Sequence, residues 1–194
     1  MDMPLDTMSD EPDEVLLVLF ANGDASAARA LTGRLTPRVM GHAYRLLGNH
    51  AEAEDVTQEA MLRLWNIASE WRQGEARVST WLYRVVANLC IDRKRRARNV
   101  ALDSIPEPED GRASAAETLQ AKARAEALQA ALDQLPDRQR QAVVLRHIEG
   151  LANPEIAEIM EITTEAVESL TARGKRTLTA ALSGRQEELG YGDE

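Results

Sequence analysis

The sequence predicts an all-α protein, two small helical domains joined by an acidic, proline-containing linker. Hydrophobic residues make up 44% of the chain but aromatics only 4%, and Ala and Leu dominate the apolar fraction. Sheets favour aromatic and β-branched residues, so that balance points to interdigitating helices. Apolar residues also recur at helical spacing through two long stretches. Between those stretches, residues 99–117 set Pro106 and Pro108 among Asp103, Glu107, Glu109 and Asp110. Such a segment has too little apolar surface to offset the entropy of ordering, and it reads as the linker. A length of 194 residues accommodates one ordinary domain or two small ones.

The elements follow in order. Residues 1–12 read as a disordered acidic tail, in which Met8, followed by Ser-Asp-Glu, is a second candidate start. From Asp13 to about Gly48 the spacing of Val15, Leu16 and Leu19, then of Leu31, Leu35, Val39, Tyr44 and Leu47, is helical. Breaks fall at Asn22-Gly23 and Gly48-Asn49, and Pro37 is expected either to open a helix or to kink one. Helices over 51–69 and 80–97 complete a first domain spanning 13–98, with the Ser79 hydroxyl expected to cap the second of them. After the linker, periodicity runs from about Ala115 to Gln134, is punctuated by Leu135-Pro136, and resumes from Asp137 to Glu149. Two shorter helices, Asn153 to Met160 and Thr164 to about Leu182, close a second domain over 118–183, and 184–194 form a tail.

The net charge of -9 opposes a nucleic-acid partner, because phosphate binding needs cations. Its distribution reverses that inference. Residues 1–14 carry Asp2, Asp6, Asp10, Glu11, Asp13 and Glu14 without a Lys or Arg, whereas Arg93, Lys94, Arg95, Arg96 and Arg98 are nearly consecutive. An acidic tail and linker would raise repulsion toward bare DNA until a partner separates the two domains. Cys90 is the single cysteine, so no intramolecular disulfide forms. His42, His50 and His147 lack metal-motif spacing, and neither a metal nor any other cofactor is expected. No apolar run near 18 residues is present, nor a charged start followed by an apolar signal core, and the chain is expected to stay in the cytoplasm.

The last two helices read as a helix-turn-helix. Asn153-Pro154 supplies a cap and a first-turn proline, Ile156, Ala157, Ile159 and Met160 give the first helix a buried face, and Ile162-Thr163 makes the turn. On the next helix Val167, Leu170, Gly174, Leu178 and Ala181 share one side. Glu165, Glu168, Ala172, Lys175, Arg176 and Thr179 share the other, with Ser169 and Arg173 at its edge. Major-groove docking needs that split: a buried stripe, short or hydrogen-bonding residues early, cations later. Glu168 is suited to accept from a cytosine amino group. A helical hairpin with a solvated polar face accounts for the same pattern.

Trp71, Trp81 and Tyr83 concentrate aromatics in a chain poor in them, and residues 72–77 between the two tryptophans read as an exposed loop. On the following helix Thr80, Arg84, Asn88 and Arg95 lie opposite a core stripe of Leu82, Val85, Val86, Leu89 and Cys90. Aromatics and arginines beside a basic run are the chemistry of single-strand capture, since an unstacked base offers a π-face and cations follow the backbone. Both tryptophans serve equally well as core anchors, with the arginines a solvated helix end that suits the macrodipole. On residues 51–69, Ala53, Val56, Ala60, Leu64 and Ile67 face inward. Glu52, Asp55, Gln58, Glu59 and Asn66 face outward, with Leu62 among them as an apolar partner contact. A di-metal carboxylate site would need Glu-x-x-His pairs, which are absent.

Three segments, Asp55 to Met61, Gly74 to Arg84 and Asn88 to Arg93, together resemble the second conserved region of extracytoplasmic-function (ECF) sigma factors, of the sigma-70 family of bacterial RNA polymerase sigma factors. Leu135-Pro136, Glu149-Gly150-Leu151, Glu155-Ile156-Ala157 and Val167-Glu168-Ser169 look like the fourth. The resemblance spans roughly residues 12–182 and implies a region 2 helical bundle and a region 4 helix-turn-helix, with no catalytic residue. It implies that Asp55, Gln58, Glu59, Leu62 and Trp65 dock on the clamp coiled coil of the largest subunit of core RNA polymerase, with the flap region a further contact. Arg72, Arg77, Thr80, Trp81, Arg84, Asn88, Arg93, Arg95 and Arg96 would melt and hold the -10 element of promoter DNA. Thr164, Glu165, Glu168, Ser169, Ala172, Arg173, Lys175 and Arg176 would read the -35 element. The linker would thread toward the active-site and RNA-exit channels, and an anti-sigma factor would hold the protein inactive.

Many relatives place a basic residue where Glu168 stands and another at Leu170, so the bases and phosphates contacted here are expected to differ. The competing readings are a stand-alone helix-turn-helix regulator, an adaptor that binds polymerase without recognising promoters, and a small helical metalloprotein. Specific duplex binding without polymerase marks the first, indifference to Arg173 and residues 93–96 the second, and stoichiometric metal the third.

Overall fold

The computed structural model describes residues 10–72, 74, 77–100 and 116–183, and their side chains apart from those of 98–100 and 116–121. The helices are α1 (Asp13–Ala21), α2 (Ala25–Leu47), α3 (His50–Ile67), α4 (Val78–Val100), α5 (Ala116–Asp133), α6 (Asp137–Val143), α7 (Asn153–Met160) and α8 (Thr164–Ser183). A 3-10 turn, Ala68–Glu70, follows α3, and a π turn, Val144–Ile148, follows α6. Among the described residues there is no strand. The chain divides into two compact units, Met1–Arg93 and Lys94–Glu194. The proposed acidic tail before residue 10, the bulk of the linker and the C-terminal tail lie outside the described residues.

In the first unit several helix boundaries have a chemical cause. Asp24 opens α2 by accepting from the amides of Ser26 at 2.8 Å and Ala27 at 3.3 Å. Gly48 closes it at φ 74, a left-handed conformation that glycine adopts without steric cost. Asn49 then caps α3 by accepting from the Glu52 amide at 3.0 Å. Pro37 neither opens nor breaks a helix. It lies within α2 on the exposed side, as does Gly33, whose carbonyl loses its i+4 partner and is left to water.

The apolar stripes meet in one core, which includes Leu16, Leu17, Leu31, Leu35, Val39, Val56, Leu64, Leu82 and Val86. Complete burial of a leucine stabilises by roughly 1.5–3 kcal/mol, so these contacts and not helix propensity hold the unit together. Cys90 is buried in the same core and forms no disulfide. The start of α4 differs from expectation. It begins at Val78, one residue before the serine expected to cap it, and the Val78 amide donates to the Glu14 carboxylate at 2.9 Å. A carboxylate 64 residues away in sequence thus does the work assigned to Ser79.

In the second unit, Leu132, Leu135, Val143 and Val144 form a core joined by Leu128, Ile148 and Leu178. The helix expected to run from Asp137 to Glu149 stays α-helical only to Val143. It then widens, with the Glu149 amide donating to the Val144 carbonyl at 3.0 Å and that of Leu151 to Leu145 at 3.0 Å. The widened turn lets Val143, Val144 and Leu145 all be buried in succession. Arg140 is only 6% exposed; it donates to the Asp133 carbonyl at 2.8 Å and pairs with the Asp133 carboxylate at 3.2 Å. It therefore fastens the Leu135-Pro136 turn from inside.

The helix-turn-helix depends on a close approach. A Cβ added at Gly174 of α8 would lie 2.5 Å from Val143 Cγ2 and 3.3 Å from the Gln139 carbonyl oxygen, so α6 and α8 touch where no larger residue fits. Glu161, at φ 53, makes the turn from α7 in a left-handed conformation, and the Ile162 amide returns to the Ala157 carbonyl at 3.1 Å. The cap of α7 also differs from expectation. Asn153 is its first residue; Glu155 reaches back to the Ala152 amide at 2.9 Å, while alanine offers no acceptor in return.

Candidate polymerase and nucleic-acid interfaces

Three faces emerge from this scaffold. On α3, burial of Ala53, Val56, Ala60 and Leu64 turns Asp55, Gln58, Glu59 and Leu62 outward. Leu62 is 57% exposed, an apolar contact in an acidic surround. Glu59 pairs with Arg63 at 2.8 Å, and Asp55 pairs across helices with Arg93 of α4 at 3.1 Å. Trp65 does not share this face fully. It is half-buried, with its ring edge-on to Phe20 at 4.8 Å, and it packs on the core.

The second face surrounds the start of α4. Trp71 and Trp81 meet edge to face with ring centroids 6.3 Å apart, and both pack on the core while remaining partly exposed. Core anchor and exposed ring edge are therefore compatible roles for the same side chain. Among the described residues the Trp71 indole N–H is buried without a hydrogen-bond acceptor. Arg72, Arg77, Asn88, Arg95 and Arg96 are exposed, Arg84 and Arg93 half-buried. Thr80 is only 5% exposed and sits in the interior, because Thr80 falls one helical turn before the buried Tyr83 and shares its side. Gln73, Glu75, Ala76 and the Arg98 side chain lie outside the described residues.

The third face is α8. Val167 and Gly174 are buried, which leaves Glu165, Glu168, Ser169, Ala172, Arg173, Lys175 and Arg176 exposed and Thr164 half-buried. Arg173 folds back on Ser169, donating to its hydroxyl at 2.6 Å and its carbonyl at 3.3 Å. Glu168 accepts from the Asn153 amide at 3.4 Å. The Glu165 carboxyl is held below its ordinary pKa by its own backbone amide and by the Thr163 hydroxyl, so it stays charged. His147, on the π turn, is held below its ordinary pKa by desolvation, then by Lys175 and Arg146. It stays neutral at pH 7, and the cationic surface there is made by lysine and arginine alone.

Sequence reasoning did not anticipate the contact of Asn153 with Glu168 or that of Glu14 with Val78, since each joins residues remote in sequence. Among the described residues no group of three or more metal-ligating side chains comes together, and no helix is long and apolar enough to cross a membrane.

Comparison with known proteins agrees with this geometry. Residues 31–100 match the family Sigma-70 region 2, and residues 125–178 match Sigma-70, region 4. The chain is 36% identical over 188 residues to the ECF RNA polymerase sigma factor SigE of Mycolicibacterium smegmatis, spanning 93% of this chain and 72% of that protein. It is 31% identical over 182 residues to the ECF RNA polymerase sigma factor SigW of Bacillus subtilis, spanning 82% and 91%. The sigma factor RpoE of Bartonella quintana, crystallised with the anti-sigma factor NepR, superposes with a TM-score of 0.64 at 20% identity over 78% of this chain and 94% of that one. That likeness shows a shared all-α fold. The chain belongs to the ECF sigma factors of the sigma-70 family. Its function follows: it associates with core RNA polymerase and directs it to promoters.

Proposed function

We propose that the three faces divide promoter recognition among them. The outward face of α3, with Asp55, Gln58, Glu59 and Leu62, docks on core polymerase, with Trp65 behind it as support. The start of α4, with Arg72, Arg77, Trp81, Arg84 and Asn88, captures the melted -10 strand, while Arg95 and Arg96 follow its backbone. The exposed face of α8 reads the -35 duplex. The domains 13–98 and 118–183 are the working units, the linker threads between them through the polymerase, and an anti-sigma factor covers these faces until a signal releases them. The protein performs no chemistry and acts in the cytoplasm. The observation that carries this reading is the split of α8, where Val167 and Gly174 lock one side and Glu168, Ser169, Arg173, Lys175 and Arg176 are exposed.

Run-off transcription with purified core polymerase on a promoter library tests the assignment. Asp55→Ala and Asn88→Ala should each weaken specific initiation. Because Asp55 also pairs with Arg93, Arg93→Ala is the control that separates loss of the ion pair from loss of docking. An exposed pair of this kind is worth at most about 1 kcal/mol, so Asp55→Ala should impair core binding well beyond Arg93→Ala. Absence of both core binding and specific initiation, with no inhibitor co-purified, would overturn the reading in favour of a stand-alone regulator.

A further inference from the structure

We infer that Asn153, outside the recognition helix, is a specificity-determining residue that positions Glu168 to select a C·G base pair. The inference rests on the reading of α8 as the duplex-recognition helix. Asn153 is the first residue of α7, half-buried, and its side-chain amide donates to Glu168 Oε1 at 3.4 Å across the helix-turn-helix. An asparagine at a helix start ordinarily caps the helix. Here Glu155 holds the Ala152 amide at 2.9 Å, and the Asn153 amide is turned to the recognition helix instead.

The chemistry selects the base. An ionised carboxylate only accepts hydrogen bonds. In the major groove guanine presents N7 and O6 and thymine presents O4, all acceptors, so each repels Glu168. Adenine offers its amino group beside the acceptor N7, whereas cytosine offers an amino group without that neighbour. A carboxylate with one oxygen pinned by Asn153 presents the other from a fixed position, so less side-chain freedom is lost when the base is met. A free glutamate on an exposed helix surface would lose more, and would swing toward water as readily as toward a base.

The test is a transcription library randomised across the upstream promoter element, read with core polymerase and the full-length chain. Asn153→Ala, Asn153→Asp, Glu168→Ala and the double variant Asn153→Ala with Glu168→Ala are compared. Asn153→Asp keeps the shape, suits the start of a helix, and replaces the donor by a carboxylate that repels Glu168. Melting temperatures of all four should match the parent. Both Asn153 variants should reduce the preference for C·G about threefold to tenfold at a single position, the one that Glu168→Ala also flattens. The double variant should match Glu168→Ala alone, because Asn153 acts through Glu168.

Unchanged preference in both Asn153 variants would overturn the inference, as would a further loss in the double variant, which would mean that Asn153 touches DNA itself. If the parent reads other upstream positions but none sensitive to Glu168→Ala, this inference falls and the role of α8 survives. If the parent shows no upstream preference at all, the role of α8 falls with it.

Discussion

Glu14 and Asp24 show how single carboxylates set this fold. Glu14 satisfies the Val78 amide from another helix, so Glu14→Ala should cost about 0.5–2 kcal/mol in urea unfolding, the usual range for a lost helix cap. The three tryptophans, Trp65, Trp71 and Trp81, all lie in the first unit, so their fluorescence reports that unit alone. Asp24 is held below its ordinary pKa first by the Ser26 hydroxyl, which outweighs an opposing desolvation, and further by the amides of Ser26 and Ala27. A depressed carboxylate stabilises the fold above its unfolded pKa and loses that contribution as pH falls through the folded value. Asp24→Ala should therefore lower the melting temperature at pH 7, and the difference from the parent should shrink on acidification below about pH 4. A difference that stays constant to pH 2 would refute the cap as its source.

At the scale of helices, Gly174 is where the recognition helix meets its support. Gly174→Ala gains up to about 1 kcal/mol of helix propensity but drives a Cβ to 2.5 Å from Val143 Cγ2, and overpacking of that kind costs about 1–3 kcal/mol. A net loss of helix-turn-helix stability by circular dichroism should accompany weaker promoter binding, with tryptophan fluorescence unmoved. The elements themselves were largely legible. The stripes of Val56, Ala60 and Leu64 and of Leu82, Val86 and Cys90 announced α3 and α4, and Val167 and Gly174 announced the buried side of α8. What local pattern could not supply was partnership at a distance. Glu14 read as tail charge and Asn153 as a cap, and Arg140 drew no reading at all, because a sequence window sees charge and spacing but not the helix, side chain or turn that each residue meets. The π turn was missed because periodicity at this length does not separate a widened turn from an ordinary one.

For the molecule as a whole, the segregation of charge requires refinement. Of the six acidic residues before Val15, Asp13 pairs with Arg34 at 2.6 Å and Glu14 caps α4, so only those nearer the N-terminus are available as an electrostatic screen. Removing residues 1–10 should leave the first unit's stability intact and, if the acidic tail repels DNA, raise the affinity of the free chain for DNA and change its salt dependence. Unchanged affinity would remove the tail from the mechanism. The same Glu14 contact has a consequence for the segment between Trp71 and Val78, which we propose captures the melted strand. Trp71 is anchored on the core beside Trp81, and Val78 is clipped by Glu14, so both ends of that segment are fixed a few residues apart. Arg72 and Arg77, each adjoining one of those fixed residues, are therefore held near the places where they would meet a ligand, and less of the binding free energy is spent on ordering them. Cutting the clip by Glu14→Ala should slow capture of the unpaired strand and speed hydrogen exchange at the Val78 amide, ahead of any change in the buried centre of the unit.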